Sequence, residues 1–490
     1  MSNKKLLLVL SLSFSFSTVW ATTQTSAFEQ RVLNEAPYVP STLTLDEKEV
    51  ANFGTIKRKP ANNFSVDMET KDMKTLQVIV SELHALKTPE QVQAFIEKLE
   101  ANYNSYPNNV KFFAASIIPT KAFRGSFYRL RTLFEKKSKF LHSQVLTMAK
   151  KMATRNNVYL PTDYSRAIYD YAASPYFVNG RLASTFTSEA DVQIWQVKEL
   201  LPLLETAASR LSALKLVEPI IWDQKIAFGP DSFQDDIGRF KQIGEFEKNI
   251  AIASIYSSIS SLSMARAYSM ENAIEMYKDL GSLYGFDGFG LFNAVDGVSA
   301  KKVSRVLNKR AFKNTATIMS DGKFWMSKAY DNSQNAIRSL KKAWSNSANT
   351  RSDENFYLFN TGYLNVNRDE IEQNLQIMDR VVTSQGVESL RSAVTGEVVQ
   401  VNYKNLFIDP PKDLKAFLPT GFDEKSTISR KIAVAGKEAV VTYRNYAEGS
   451  PTAWNVEAFE PYFPSIKKNS DVYKTVRVLS HAGGNWLSLQ

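Results

Sequence analysis

The sequence predicts a mainly α-helical protein, a helical bundle or irregular helical array, with a smaller α+β or β-rich C-terminal domain. Three observations predict it. Apolar residues recur at helical spacing from about residue 67 to about residue 385. Helix start signals punctuate that stretch, with Thr88-Pro89-Glu90-Gln91 the clearest. Beyond it the texture changes to short β-rich runs separated by prolines.

The first 21 residues read as an export signal. Lys4 and Lys5 precede an apolar run from Leu6 through Val19, and Val19-Trp20-Ala21 puts small residues where a signal peptidase reads. Residues 1–21 are therefore expected to be cleaved after Ala21. No later stretch reaches the ~20 apolar residues of a spanning helix. The signal lacks twin arginines and the chain has no cysteine, which excludes disulfides, thiolate metal sites and thiol catalysis. These features predict a bacterial protein of the periplasm, or one fully secreted. At 490 residues the chain is long enough for two or three domains, each with its own apolar core.

Residues 22–66 read as an extended N-terminal linker, rich in Ser, Thr and Asn and broken by Pro37, Pro40 and Pro60. The mainly helical domain then spans 67–385, with room for two subdomains. After the start at Thr88, residues Val92, Phe95, Ile96 and Leu99 follow at helical spacing. Ser188-Glu189-Ala190-Asp191 opens another helix, with Val192, Trp195, Leu200, Leu204, Leu211 and Leu214 as its apolar positions. Pro202 is expected to bend or split it. Ser269 is expected to cap a helix carrying Ile274, Tyr277 and Leu280. Asp369–Val382 makes one more, with Ile371, Leu375, Met378 and Val382 on one face. In the β-containing domain, 386–490, Glu397–Tyr403 and Asp471–Leu479 read as strands. KIAVAGKEAVVTY, 431–443, reads as a hairpin about a short Gly-containing turn.

Charge is the feature that points toward function. Residues 121–155 hold ten Lys/Arg against one acid, Glu135, a net of +9. The whole chain carries +10, and the signal peptide accounts for +2 of that. Everything else in the mature protein therefore sums to about −1. If helical throughout, 127–152 would be about 39 Å long. Phe127, Leu130, Phe134, Leu141, Val145, Met148 and Met152 would form one stripe, with Arg124, Arg129, Arg131, Lys136, Lys139 and Lys150 opposite. An ordinary solvated helix face mixes Glu with Lys to gain i,i+4 pairs; this one does not. Arg124, Arg129, Arg131, Lys136 and Lys139 are accordingly the candidate anion-binding residues. A second basic run, 301–313, contains Lys301, Lys302, Arg305, Lys309, Arg310 and Lys313 and no acid.

Catalytic motifs are incomplete. The glycine-rich stretch 281–297 has no Lys-Ser/Thr after its last glycine, as a phosphate loop needs, and no alternating carboxylates for calcium. It reads as a folded connector whose aromatics fill a core gap. Ser299-Ala300-Lys301-Lys302 imitates the Ser-x-x-Lys of penicillin-interacting enzymes, but the Lys-Thr-Gly partner is missing and the spacing recurs at Ser339–Lys342 and Ser465–Lys468. His84, His142 and His481 are far apart and suggest no metal site. Carboxylates such as Asp235, Asp236, Glu245, Glu247, Glu370 and Glu372 could serve a glycosidase, yet nothing in the sequence selects a pair.

The expectation is an exported, non-catalytic scaffold or binding protein without cofactor. Its partner would be an anionic envelope component (lipid headgroup, lipopolysaccharide or peptidoglycan) or another envelope protein. Peripheral membrane contact fits; nucleic acid does not suit an exported chain. The alternatives are a peptidoglycan hydrolase with unlocated carboxylates and a membrane-active secreted effector.

Overall fold

The computed structural model describes residues 66–137, 162–229, 238–284, 300–347, 357–358, 368–392, 395–422, 427–434, 437–444 and 451–487. The expected signal peptide and nearly all of the expected linker lie outside them. So do 285–297 of the glycine stretch, Ser299, Asp235, Asp236, His142 and Lys139.

The fold is mainly α with a few small two-stranded sheets, as the periodicity predicts. It opens with three short helices. In α1 (Lys71–His84) the Thr70 hydroxyl accepts the Met73 N–H at 3.3 Å, and Met73, Leu76, Ile79, Val80 and Leu83 are buried. Helix α2 (Pro89–Ala101) starts with the expected reciprocal cap. Thr88 accepts the Gln91 N–H, and the Gln91 side chain accepts the Thr88 N–H, both at 3.3 Å. Val92, Phe95, Ile96 and Leu99 are all buried. Helix α3 (Asn108–Ile117) is buried nearly all round. Its Phe113 stacks between Phe95 and Trp222, with ring centroids 6.3 and 6.1 Å away. These rings anchor the largest apolar cluster among the described residues.

Helices α4 (Ser126–Lys137) and α5 (Thr162–Ala173) pack on each other, and α5 packs on α2. Two very short strands follow, β1 (Phe177–Val178) and β2 (Arg181–Leu182). Helix α6 (Glu189–Trp195) starts where expected, with Asp191 accepting the Thr187 and Ser188 N–H groups at 2.7 and 3.0 Å. Pro202 does not split the helical path. A π turn, Gln196–Leu200, carries α6 directly into α7 (Leu201–Ala213). Proline has no N–H to give the preceding turn, and the wider winding accommodates that loss. Leu200, Leu204, Leu211 and Leu214 stay buried across the junction.

The expected unbroken helical stretch is interrupted a second time, by β3 (Ile220–Asp223) paired antiparallel with β4 (Phe240–Ile243). A buried network closes this hairpin. Asp223 is fully buried and takes three contacts from Arg239, the shortest at 2.8 Å. Gln77 of α1 donates to the same carboxylate at 3.1 Å and accepts from Arg239 at 2.7 Å. The hairpin is thereby tied to the first helix.

Two long helices form the spine, α8 (Glu245–Ala267) and, after α9 (Ala273–Tyr284) and α10 (Ala300–Leu307), α11 (Gly322–Ser347). They share the most extensive helix–helix contact among the described residues. Alanine and serine dominate the middle of α8, so the backbones approach closely. Ser260 donates to the Ala329 carbonyl at 2.8 Å. At the end of the pair there is no room for a side chain on Gly322: a Cβ there would sit 2.6 Å from the Ala267 carbonyl oxygen. Ser269 does not cap α9. Its backbone pairs with Thr317 and Ala316, and Asn272 has φ of 53°, so the helix begins only at Ala273.

Helix α12 (Arg368–Thr383) lies against α11, with Leu375, Val381 and Val382 buried. The C-terminal strands then form antiparallel pairs: β5 (Glu388–Arg391) with β6 (Val398–Val401), β7 (Gly421–Phe422) with β10 (Pro451–Ala453), and β8 (Thr427–Val434) with β9 (Lys437–Arg444). The β8–β9 hairpin is the one expected from KIAVAGKEAVVTY, with Val434 opposite Lys437. The expected strand 471–479 is instead part of a helix, α13 (Asn469–Leu487). Three of its four β-branched residues sit at every third position and are buried, Val472, Thr475 and Val478, and Val478 packs with Val399 and Val401 of β6. Asp471 accepts the Lys467 and Lys468 N–H groups at 3.0 and 3.1 Å, an N-terminal helix signal that outweighs strand propensity.

Candidate functional site

The cationic segment begins at a tight turn. Gly125 has φ of 61°, a conformation glycine adopts without strain. Its N–H donates to the Tyr171 carbonyl at 2.8 Å, and its own carbonyl accepts the Arg129 N–H at 2.8 Å, starting α4. Leu130 and Leu133 are buried, and half-buried Phe127 packs on Tyr169, ring centroids 6.5 Å apart. The described part of the apolar stripe therefore faces the protein.

The five candidate cations have different surroundings. The Arg124 guanidinium lies over the Tyr176 ring at 4.9 Å, and its Nε is buried with no hydrogen-bond partner. The Arg129 side chain is only 12 % exposed. Its Nη1 donates to both Glu199 oxygens at 3.0 Å, and its guanidinium stacks on Phe186 at 4.3 Å. Arg131 is exposed, with its guanidinium 5.6 Å from the Tyr128 ring. Lys136 lies on the last turn of α4, and Lys139 is outside the described residues, as is everything from 138 to 161. Lys121, just upstream, pairs with Glu100 at 3.0 Å.

The β1–β2 hairpin is fastened beside these arginines. Tyr176, at its root, carries the Arg124 stack and accepts the Ala183 N–H at 2.8 Å. The Phe186 N–H donates to the Arg129 carbonyl at 2.8 Å. Asn179 and Gly180 both have positive φ, 51° and 75°, which fits a tight two-residue turn. Phe177 is 66 % exposed, and Val178 and Leu182 are 50 % exposed. This hairpin is not among the sequence expectations. The signal that finds it is Val178-Asn179-Gly180-Arg181, an Asn-Gly pair flanked by strand formers.

The second basic run packs elsewhere, against α9. Val303 and Val306 are buried with Leu280 and Phe312. Lys302, Arg305, Lys309, Arg310 and Lys313 are exposed, and Lys309 meets Asp279 at 2.6 Å.

A polar cleft of about 220 Å³ lies between α7, α8 and α11, lined by Ser212, Lys248, Asn249, Tyr256, Arg338 and Lys342 among others. Lys248 is buried, donating to the Leu214 carbonyl at 2.6 Å and to Glu245. Burial pushes the Glu245 carboxyl up, but the Lys248 hydrogen bond and charge, with the Leu216 N–H and Asn249, outweigh it and hold the group below the usual range. Sequence reasoning did not assemble this cleft.

No nucleophile paired with a base appears among the described serines of the Ser-x-x-Lys matches. Ser339 donates to the Asn335 carbonyl at 2.9 Å, and Ser465 accepts the Gln400 N–H at 3.0 Å. Nε2 of His84 lies 2.9 Å from the Lys225 carbonyl, and burial pulls its pKa below 6.5. Glu247 accepts the Gly244 N–H at 3.0 Å at the start of α8. Among the described residues no group of three or more His, Asp or Glu is placed to hold a metal ion, and no helix is long and apolar enough to cross a membrane. No protein-family model, curated protein or solved structure matches this chain.

Proposed function

We propose that this is an exported, non-catalytic binding or scaffolding protein of the bacterial envelope, holding an anionic partner on the cationic face of 121–155. One observation carries the reading: the mature chain's excess positive charge is gathered in that segment, a net of +9 against +10 for the whole chain. The exposure of Arg131 at the solvent side of α4 supports it, with Leu130 and Leu133 turned inward. Arg129, held by Glu199, serves the fold and orients the helix. Arg131, Lys136 and Lys139 supply the attraction, and Arg124 supports it from the Tyr176 ring.

The test is co-sedimentation of the mature protein with anionic vesicles and with purified peptidoglycan over a salt series. Screening shortens from about 10 Å at 0.1 M to about 3 Å at 1 M salt, so binding should fall steeply. The triple variant Arg131→Gln, Lys136→Gln, Lys139→Gln should bind weakly at every salt concentration. Salt-independent binding, or none to either material, rejects the reading. Release of soluble fragments from peptidoglycan would instead establish a hydrolase.

A further inference from the structure

We infer that the β1–β2 hairpin is a membrane-docking tip whose occupant is an anionic lipid bilayer. Phe177, Val178 and Leu182 would enter the headgroup–acyl boundary while the neighbouring arginines meet lipid phosphates. The inference rests on the anionic-partner reading above and narrows the partner to lipid.

The pattern of exposure selects a bilayer. Phe177 and Val178 are adjacent in one strand, so their side chains leave opposite faces of the ribbon. Phe177 stands across from Leu182, and Val178 from Arg181. Both faces are nonetheless open, with all four residues exposed. The ribbon therefore packs on neither side against the protein and projects from it. A flat protein surface covers only one face of a projecting two-stranded ribbon, whereas a fluid bilayer interface closes over both. Three large apolar side chains within six residues are also more than a scattered surface population needs.

Size and charge agree. Two paired residues per strand reach roughly 7 Å at ~3.4 Å per residue, within the ~5–10 Å depth at which interfacial elements sit. The Asn179-Gly180 turn prepays the ordering of the tip. Arg181 lies on the hairpin itself, and Arg124 is stacked on Tyr176 at its root. A basic rim around an apolar tip is the combination that anionic leaflets attract. Weak apolar insertion and weak charge attraction then add where neither suffices alone.

The chain has no cysteine, so Val178→Cys gives a unique attachment point for an environment-sensitive fluorophore. The labelled mature protein is mixed with neutral vesicles and with vesicles in which roughly a third of the lipid is anionic. With anionic vesicles the emission should shift to the blue and be quenched by a lipid-borne quencher; neutral vesicles should do much less. Phe177→Ser with Leu182→Ser removes exposed side chains only, so the circular dichroism spectrum should be unchanged, while partition onto anionic vesicles should fall about 10-fold or more. Binding with an unshifted label, or a double variant that binds like the parent, overturns the docking tip and leaves the anionic-partner reading standing. Salt-sensitive binding to peptidoglycan without vesicle binding does the same. Failure to bind either material overturns both.

Discussion

Substituting Arg129 and Arg131 by glutamine, one at a time, should give opposite outcomes although the two cations lie two residues apart on one helix. The Arg129 side chain is 12 % exposed and gives two 3.0 Å contacts to Glu199, which is itself 42 % exposed. A hydrogen bond to a charged group contributes ~1.5–3 kcal/mol when shielded, and the wet side of Glu199 discounts that toward ~1 kcal/mol. Loss of the guanidinium from the Phe186 ring, 4.3 Å away, adds ~0.5–1 kcal/mol. Arg129→Gln should therefore cost about 2 kcal/mol of stability, seen as a lower urea midpoint by circular dichroism. Its affinity for anionic vesicles should hardly change, because the Arg129 guanidinium is turned into the protein, against Glu199 and Phe186. Arg131→Gln should leave the urea midpoint within ~0.5 kcal/mol of the parent. It should remove ~1 kcal/mol of attraction to an anionic surface at low salt, about 5-fold in affinity. If Arg129→Gln weakens vesicle binding more than Arg131→Gln while stability is unchanged, the division between a structural and a ligand-facing arginine is wrong.

Other expectations concern the scaffold. Asp223→Ala should destabilise the protein by about 3–5 kcal/mol in urea, since it strands the Arg239 guanidinium beside Gln77; adding Arg239→Met should recover a large part of that. Gly125→Ala should cost at least ~1 kcal/mol for a positive φ, and more because its Cβ would fall 2.5 Å from the Tyr176 ring; near-ultraviolet dichroism should report the displaced tyrosine. Burial lowers the pKa of His84 from 6.5, so the unfolded chain binds a proton that the folded one resists. The stability that follows is fully present above about pH 6.5 and is lost as pH falls toward the folded value. His84→Gln should flatten that stretch of a thermal-midpoint profile taken from pH 7.5 to 5.5.

The elements legible in the sequence are those whose signals are local. Thr88, Pro89 and Gln91 specify the start of α2 through contacts within four residues, and the β8–β9 hairpin follows from a short turn between two strand-forming runs. The elements that escaped depend on distant partners or on competing signals. Val472, Thr475 and Val478 look like strand residues until α13 buries them, Val478 with Leu390 and Val399 of β5 and β6 and Val472 with Trp454, Phe459 and Ile466. Ser269 looks like a cap until Thr317 and Ala316 claim its backbone. For the site, the charge asymmetry of 121–155 is plain in composition. Its distribution is not: Glu199 lies 70 residues from Arg129 in the chain, and nothing near either residue announces the pair. The exposed hairpin was legible through Asn179-Gly180, but its two-residue strands are too short to show a period.

The α8–α11 pair is held differently at its two ends. Beside Ala267 and Gly322 backbone meets backbone, and no atom can be added between the helices. At the far end Phe246 packs with Ala343 and Leu375, and beside them Lys248 and Lys342 flank Glu245 at the edge of the polar cleft. The two ends therefore answer differently to substitution: a methyl group on Gly322 must push against the Ala267 backbone, whereas truncating Lys342 removes only an exposed side chain from the edge of the cleft.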